Sequence, residues 1–351
     1  MPDPPFEPVC SIPQFVDADC ITLAYGEGGW LTRRFLRERI LSRFDNAVLR
    51  AMHDAAVLDP TSPRIAVTTD SYTVSPLFFA GGDIGQLAVY GTVNDLAVAG
   101  ARPRWITLAM IIEEGTAWAA IDAILDSVQA AALVTGVAIV AGDTKVVPRG
   151  VVDGVFLNTT GIGEVGASGP MGMGALSAGD AILVTGPIGQ HGAAILCARE
   201  SFEFDPPPVS DCAPLAGPLQ RLWDSRLPVR CARDATRGGV AAVLHEWSQA
   251  SELGITVEEA ALPVRPGVRA VCELLGLDPI HLACEGTCVL AVDRTAADAV
   301  LQLLRCEGDM PLASAVGEVT PSRSTPVRIV RSMGRAVPLD EPAGSPLPRI
   351  C

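Results

Sequence analysis

Between Gly161 and Gly179 glycine, serine and methionine crowd together, and on either side of that stretch the apolar periodicity starts afresh. Upstream, residues 64–70 form a β-branched run ending in Asp70, which reads as a buried strand. Residues 85–99 have helical character and 105–112 return to strand. Over 117–134, Ile121, Ile124, Leu125, Val128 and Ala132 share one face while Asp122, Asp126 and Gln129 share the other, an amphipathic helix. Residues 137–140 and 155–158 read as further strands. Downstream the rhythm repeats: strand 181–185, helices 189–200, 212–224 and 238–251, strand 254–258, helix 266–275, strand 285–292, helix 295–305 and strand 313–319. Two α+β halves of similar grammar predict a duplicated, pseudo-symmetric pair of α/β domains. A chain of 351 residues is also too long for one ordinary core. We divide it into a leader with a glycine-rich loop (1–45), an N-terminal domain (46–165), a C-terminal domain (166–332) and a flexible tail (333–351).

Hydrophobic residues at 49% against 19% charged are ample for two cores, and aromatics at 5% favour closely packed α/β layers. The net charge of -14, with no Lys/Arg cluster, excludes nucleic acid as a partner. The N-terminus has no positive or apolar signal region and no uninterrupted apolar run approaches membrane-spanning length, so no membrane partner is expected. The ten cysteines include no CxxC pair and read as reduced thiols, which points to the cytoplasm.

The chemistry-bearing residues are mostly carboxylates at strand or loop ends: Asp54, Asp70 and Asp143, the last followed by Thr144 and Lys145, with Asn94 and Asp95 in a helix. One such Asp more often ends a strand or caps a helix. As a set they supply hard oxygen ligands for magnesium bridging phosphates, and Lys145 supplies a compensating cation. Gly26, Gly28 and Gly29 form a loop able to approach phosphate through backbone amides, or a plain turn. Gly161–Gly166 matches GxGxxG after a strand, but no helix follows, so it is no dinucleotide fingerprint. Asp234–Gly239 opens a helix and offers Arg237 to an anion, or simply caps that helix. Glu285 is a candidate general base. His191 caps a helix or contacts substrate, whereas His53, His245 and His281 read as structural.

The last residue is the odd one. Pro338, Pro342, Pro346 and Pro348 lead to Cys351, a thiol at the tip of an extended segment that reaches roughly 50 Å. Such an arm suits a carrier of a covalent group.

Taken together, Thr69–Ser71, Gly81–Gly85, Thr92–Leu96, Gly142–Pro148, Arg233–Gly239, Glu285–Gly286 and the closing Pro-Arg-Ile-Cys resemble the hydrogenase-maturation carbamoyl dehydratases, the HypE family of the PurM-like, aminoimidazole-ribonucleotide-synthetase-related superfamily. The resemblance runs from about Gly26 to Cys351. It implies an α+β PurM-like fold whose N-terminal mixed sheet dimerises into a barrel-like interface, with stacked α/β layers in the C-terminal domain. It implies a homodimer that uses ATP and Mg²⁺. A carbamoyltransferase, HypF, would load Cys351 as a thiocarboxamide, and the enzyme would dehydrate it to a thiocyanate. A HypC–HypD complex would accept the cyanide for the iron of nickel–iron hydrogenase. By motif, Cys351, Glu285, Lys145 and His191 would be catalytic, while Asp54, Asp70, Asp95 and Asp143 would hold metal. Those four, with Gly26, Gly28, Gly29, Asn94, Thr144 and Arg237, would surround the nucleotide. Tyr25 stands where the family's loop carries His. Two alternatives remain: a related amide-activating or selenophosphate-type synthetase, which needs no terminal Cys, and a non-catalytic maturation scaffold.

Overall fold

A computed structural model describes residues 19–26, 30–50, 55–200, 202, 204–306, 308–321, 325–331, 333–342 and 350–351. His53, Asp54, Gly28, Gly29 and residues 1–18 of the leader lie outside the described residues.

In the N-terminal half, helices α1 (Trp30–Phe35) and α2 (Ala47–Arg50) precede strand β1 (Ile65–Tyr72) and a small ribbon of β2 (Phe78–Phe79) and β3 (Gly82–Asp83). Then come α3 (Ile84–Val98), β4 (Ala101–Glu113), α4 (Trp118–Thr135), β5 (Ala138–Val147) and β6 (Val155–Val165). The main sheet runs β1-β6-β4-β5, antiparallel except where α4 carries the chain across to make β4 and β5 parallel. Asp83 starts α3 because its carboxylate accepts the amide N–H groups of Gly85 and Gln86, at 2.7 and 3.1 Å. Helix α3 is apolar nearly all round and buried nearly all round, sandwiched between the sheet and its helical neighbours. Gly161 permits that close approach, since a Cβ there would lie 2.5 Å from Thr92 Cγ2. The glycine-spaced run 161–166 is therefore strand and packing, as its sequence context implies.

One sheet face is covered by α3 and α4. On the other, Ile65, Val67 and Ile111 remain 53%, 60% and 41% exposed. Helix α4 is long and apolar enough by composition to cross a bilayer. Its inner side, however, buries Ile121, Ile124, Leu125 and Val128, and its outer Asp122 and Asp126 pair with Arg39 and Arg43.

The C-terminal half contains β7 (Ala181–Val184), α5 (Gln190–Glu200), α6 (Ala216–Asp224), β8 (Val229–Asp234), α7 (Gly239–Ser251), β9 (Gly254–Glu258), α8 (Pro266–Leu275), β10 (Cys288–Val292), α9 (Ala297–Cys306), β11 (Ser314–Thr320), β12 (Val327–Val330) and β13 (Ala336–Pro338). These strands form one sheet in the order β13-β12-β9-β11-β7-β10-β8. Strand β10 is buried at all five positions, which explains its unbroken apolar run.

In this half three strands escape the periodicity reading. β8 carries two arginines, and β12 is too short to show a period. β13 contains proline, which an edge strand tolerates. The tail is accordingly anchored further along than residue 333. β13 pairs with β12, Leu339 is buried, and the Leu339 amide donates to the Val327 carbonyl. Helix α6 also starts later than expected, at Ala216, because the Leu215 amide is tied across the groove to Asn94 Oδ1 at 2.7 Å.

Candidate functional site at the interdomain cleft

The chain's last two residues return to the cleft between the halves. Ile350 is buried in the N-terminal core together with Ile195 and Ala283. Thr73, just past β1, holds the terminal residue twice: its amide N–H donates to the Cys351 carboxyl-terminal oxygen at 3.0 Å and its hydroxyl at 3.2 Å. The Cys351 side chain then lines a small cavity with Asp70, Tyr72, Asp95, Asp234, Arg237 and Glu285. Burial, followed by the Glu285 carboxyl, pushes the thiol up to about 12, with Arg237 opposing the shift.

Glu285 is the most conspicuous group there. Its side chain is buried, and Oε1 has no hydrogen-bond partner. An unpartnered buried carboxyl oxygen is costly, so it reads as reserved for a ligand. Burial raises its pKa well above the usual carboxylate range, and Asp211, Asp234, Asp70 and Asp95 raise it further. Asp95, on α3, is raised to about 7 by burial and by Asp234, although the Thr68 hydroxyl donates to it at 2.6 Å. Burial lifts Asp234 as well, and the Asp70 charge adds to the rise.

The frame behind Glu285 is built from backbone amides. Asp211 accepts the N–H groups of His191, Glu285 and Gly286, each at 3.1 Å. Gly286 is required where it stands, because a Cβ would run into the Asp211 carbonyl. Asn94, next to Asp95, donates to the carbonyls of Ala213 and Glu285 at 3.0 and 3.1 Å. Its amide thus stitches the two halves together and holds the Glu285 backbone rather than pointing into the cavity.

The structure therefore gathers Asp70, Asp95, Arg237, Glu285 and Cys351 at one place. His191 lies behind them, bonded to the tail backbone. Lys145, Asp143 and Thr144 are elsewhere: β5 is at the opposite sheet edge from β1. Asp143 and Lys145 are exposed on the uncovered face, beside Ala109 and Ile111. Gly26 packs on the same strand, where a Cβ would lie 2.5 Å from the Val146 nitrogen. Tyr25 meets Trp118 edge-on at 5.0 Å. The sequence reading missed Tyr72, Thr73, Asp211 and the cavity role of Asp234. Asp234 was visible within Arg233–Gly239 but indistinguishable from a helix cap; the other three carry no motif.

Among the described residues, no three His, Cys, Asp or Glu side chains stand ready-made around a metal position. The donor chemistry nonetheless fits magnesium. Asp70, Asp95 and Glu285 line the cavity with hard anionic oxygens, one of them unpartnered, and Mg²⁺ takes one or two carboxylates plus water and phosphate oxygens.

Comparison with known proteins identifies the family. Residues 52–165 match the family described as AIR synthase related protein, N-terminal domain, and residues 177–330 match its C-terminal domain. The chain is 46% identical over 337 residues to carbamoyl dehydratase HypE of Escherichia coli K12, covering 94% of this chain and 99% of that protein. A crystal structure of the hydrogenase maturation protein HypE in complex with ATP superposes with a TM-score of 0.89 at 41% identity, covering 94% of this chain and 99% of that one. HypE from a HypE–HypF complex superposes with a TM-score of 0.77 at 44% identity, covering 88% and 99%.

Proposed function

Because the chain belongs to the HypE carbamoyl dehydratase family, we propose that it uses ATP to dehydrate a thiocarboxamide carried on its own Cys351, leaving a thiocyanate. The observation that carries this reading is the meeting of the terminal cysteine with Glu285, whose free oxygen faces no protein partner.

The carbonyl oxygen of S–C(=O)–NH₂ is a poor leaving group. Transfer of the γ-phosphoryl to that oxygen, with loss of one N–H proton, gives an O-phosphorylated imidate. Loss of the second N–H proton then forms the C≡N bond as phosphate leaves, so the water removed is carried off in the phosphate. Glu285 is suited to take a proton: its buried carboxylate is a stronger base than a solvated one once neighbouring negative charge is neutralised. Arg237 faces the same cavity and holds negative charge near the thiol. Thr73 fixes the terminal residue, so the reacting carbon sits at one distance from the cleft wall. Asp70 and Asp95 would hold magnesium, which when bound neutralises phosphate charge, leaving the Glu285 oxygen free for the proton. Asp54, Gly28 and Gly29 are further family positions for nucleotide and metal.

Lys145, Asp143 and Thr144 cannot reach Cys351 of their own chain from the far edge of the sheet. The uncovered face with Ile65, Val67 and Ile111 gives the reason, since a homodimer joined through that face would bring β5 of one chain toward its partner. We assign these three residues to the partner's site. The HypF carbamoyltransferase is the loading partner, the HypC–HypD complex accepts the cyanide, and the setting is cytoplasmic. The test is the mass of the C-terminal peptide after carbamoylated protein is given Mg-ATP: loss of one water supports the reading, and an unchanged mass overturns it.

A further inference from the structure

Three of the chain's four histidines point an imidazole nitrogen at a backbone carbonyl of the C-terminal segment. His245 Nε2 is 3.1 Å from the Leu339 oxygen, His281 Nε2 is 3.0 Å from the Asp340 oxygen, and His191 Nε2 is 2.5 Å from the Ile350 oxygen. A carbonyl only accepts, so each imidazole donates from Nε2.

At His191 the assignment closes on itself. With Nε2 as the donor, a neutral ring leaves Nδ1 as the acceptor for the Ser210 hydroxyl at 2.8 Å. That hydroxyl in turn accepts the Cys212 amide N–H at 3.1 Å. The ring is wholly buried, with Phe79 edge-on at 5.3 Å, so it has one orientation and one tautomer. It does not line the cavity that holds the thiol. Its place is one residue back, on the peptide that sets where the thiol goes.

We infer that the His191 imidazole, oriented by Ser210, is the latch that docks the chain's C-terminus in the cleft, while His245 and His281 anchor the base of the same segment. The inference deepens the preceding reading and rests on it for the purpose of docking. Loading and unloading a terminal cysteine both require the Ile350 contact to break. With the base fixed at Asp340, ten residues from Ile350, the released end reaches at most about 35 Å from its anchor. A partner enzyme must therefore bring its own site within that distance of the Asp340 anchor.

Docking can be read without turnover. A docked Cys351 is half-buried and its thiol is pushed up to about 12, so at pH 7.5 released tails react with N-ethylmaleimide much faster than docked ones, while exposed Cys306 reacts throughout and serves as reference. In the full-length protein, the Cys351-to-Cys306 labelling ratio should rise about tenfold in His191→Leu, the loss of one charge-free hydrogen bond. It should rise about threefold in Ser210→Ala, where the ring keeps its donor but loses its guide. His191→Gln, which restores an N–H donor, should return the ratio to near wild type. An unchanged ratio in both His191→Leu and Ser210→Ala overturns the latch, and so does an equal rise in His191→Gln. Should His191→Leu misfold, labelling of buried Cys284 reports it and the Ser210→Ala and His191→Gln pair decides. A tail that fails to lose water with Mg-ATP would sink the dehydratase reading and leave these ratios untouched.

Discussion

Lys145 and Asp70 stand at opposite edges of one four-stranded sheet, Lys145 on its uncovered face and Asp70 toward the cleft that receives Cys351. Three strand spacings separate them, about 14 Å. One chain cannot bring both to a single phosphate.

Complementation follows from that separation. Lys145→Ala and Cys351→Ala should each be inactive as homodimers. Mixed after unfolding and refolding, half the dimers are hybrid and each carries one intact site, so about a quarter of wild-type water loss should return. Mass spectrometry of the tail measures it; no recovery would mean that the two residues do not serve one shared site.

Glu285→Gln keeps the shape of the side chain and removes the base. Water loss from the loaded tail should slow at least about 100-fold, while binding of a fluorescent ATP analogue persists. Equal loss of both would make Glu285 a binding residue only.

Asp95→Asn should stabilise the ligand-free protein at alkaline pH. Its folded value, about 7, is raised from the ordinary 3.8, so the folded chain resists ionising a group that ionises freely when unfolded. The penalty is absent below about pH 4, grows through that window and is complete above pH 7. Thermal midpoints of variant and wild type should coincide at pH 4 and separate by a few degrees at pH 8. Mg-ATP should reverse the order by stabilising only the wild type.

The opposite dependence belongs to His191, held down to about 4 from the ordinary 6.5 chiefly by burial. The unfolded chain takes the proton first as pH falls. Its contribution is whole above pH 6.5 and declines toward pH 4, in total of order 3 kcal/mol. Urea midpoints should show wild type losing ground to His191→Gln between pH 6.5 and 4.5, and parallel curves would contradict the buried neutral ring.

Much of this architecture is legible in the residues. Helix α4 announces itself by its two faces and β10 by its unbroken apolar run, because such signals lie within one turn or one strand of themselves. The acidic stations and the terminal cysteine were visible for the same reason: residue type alone states what chemistry is available. What stayed hidden were relationships between distant segments. Nothing local in Asp211 shows that it gathers three amides, nor in Thr73 that it grips residue 351, nor in His191 that it bonds the tail. Asp70 and Asp143 look equivalent as strand-associated carboxylates, yet strand order and side-chain parity send them to opposite edges and faces. The sequence by itself determined most of the elements and which reactive groups are available, since these depend on short-range periodicity and on chemistry. Only the tertiary structure decided which groups share a cavity, because sheet register and the docking of the two halves set distances that no neighbouring residue encodes.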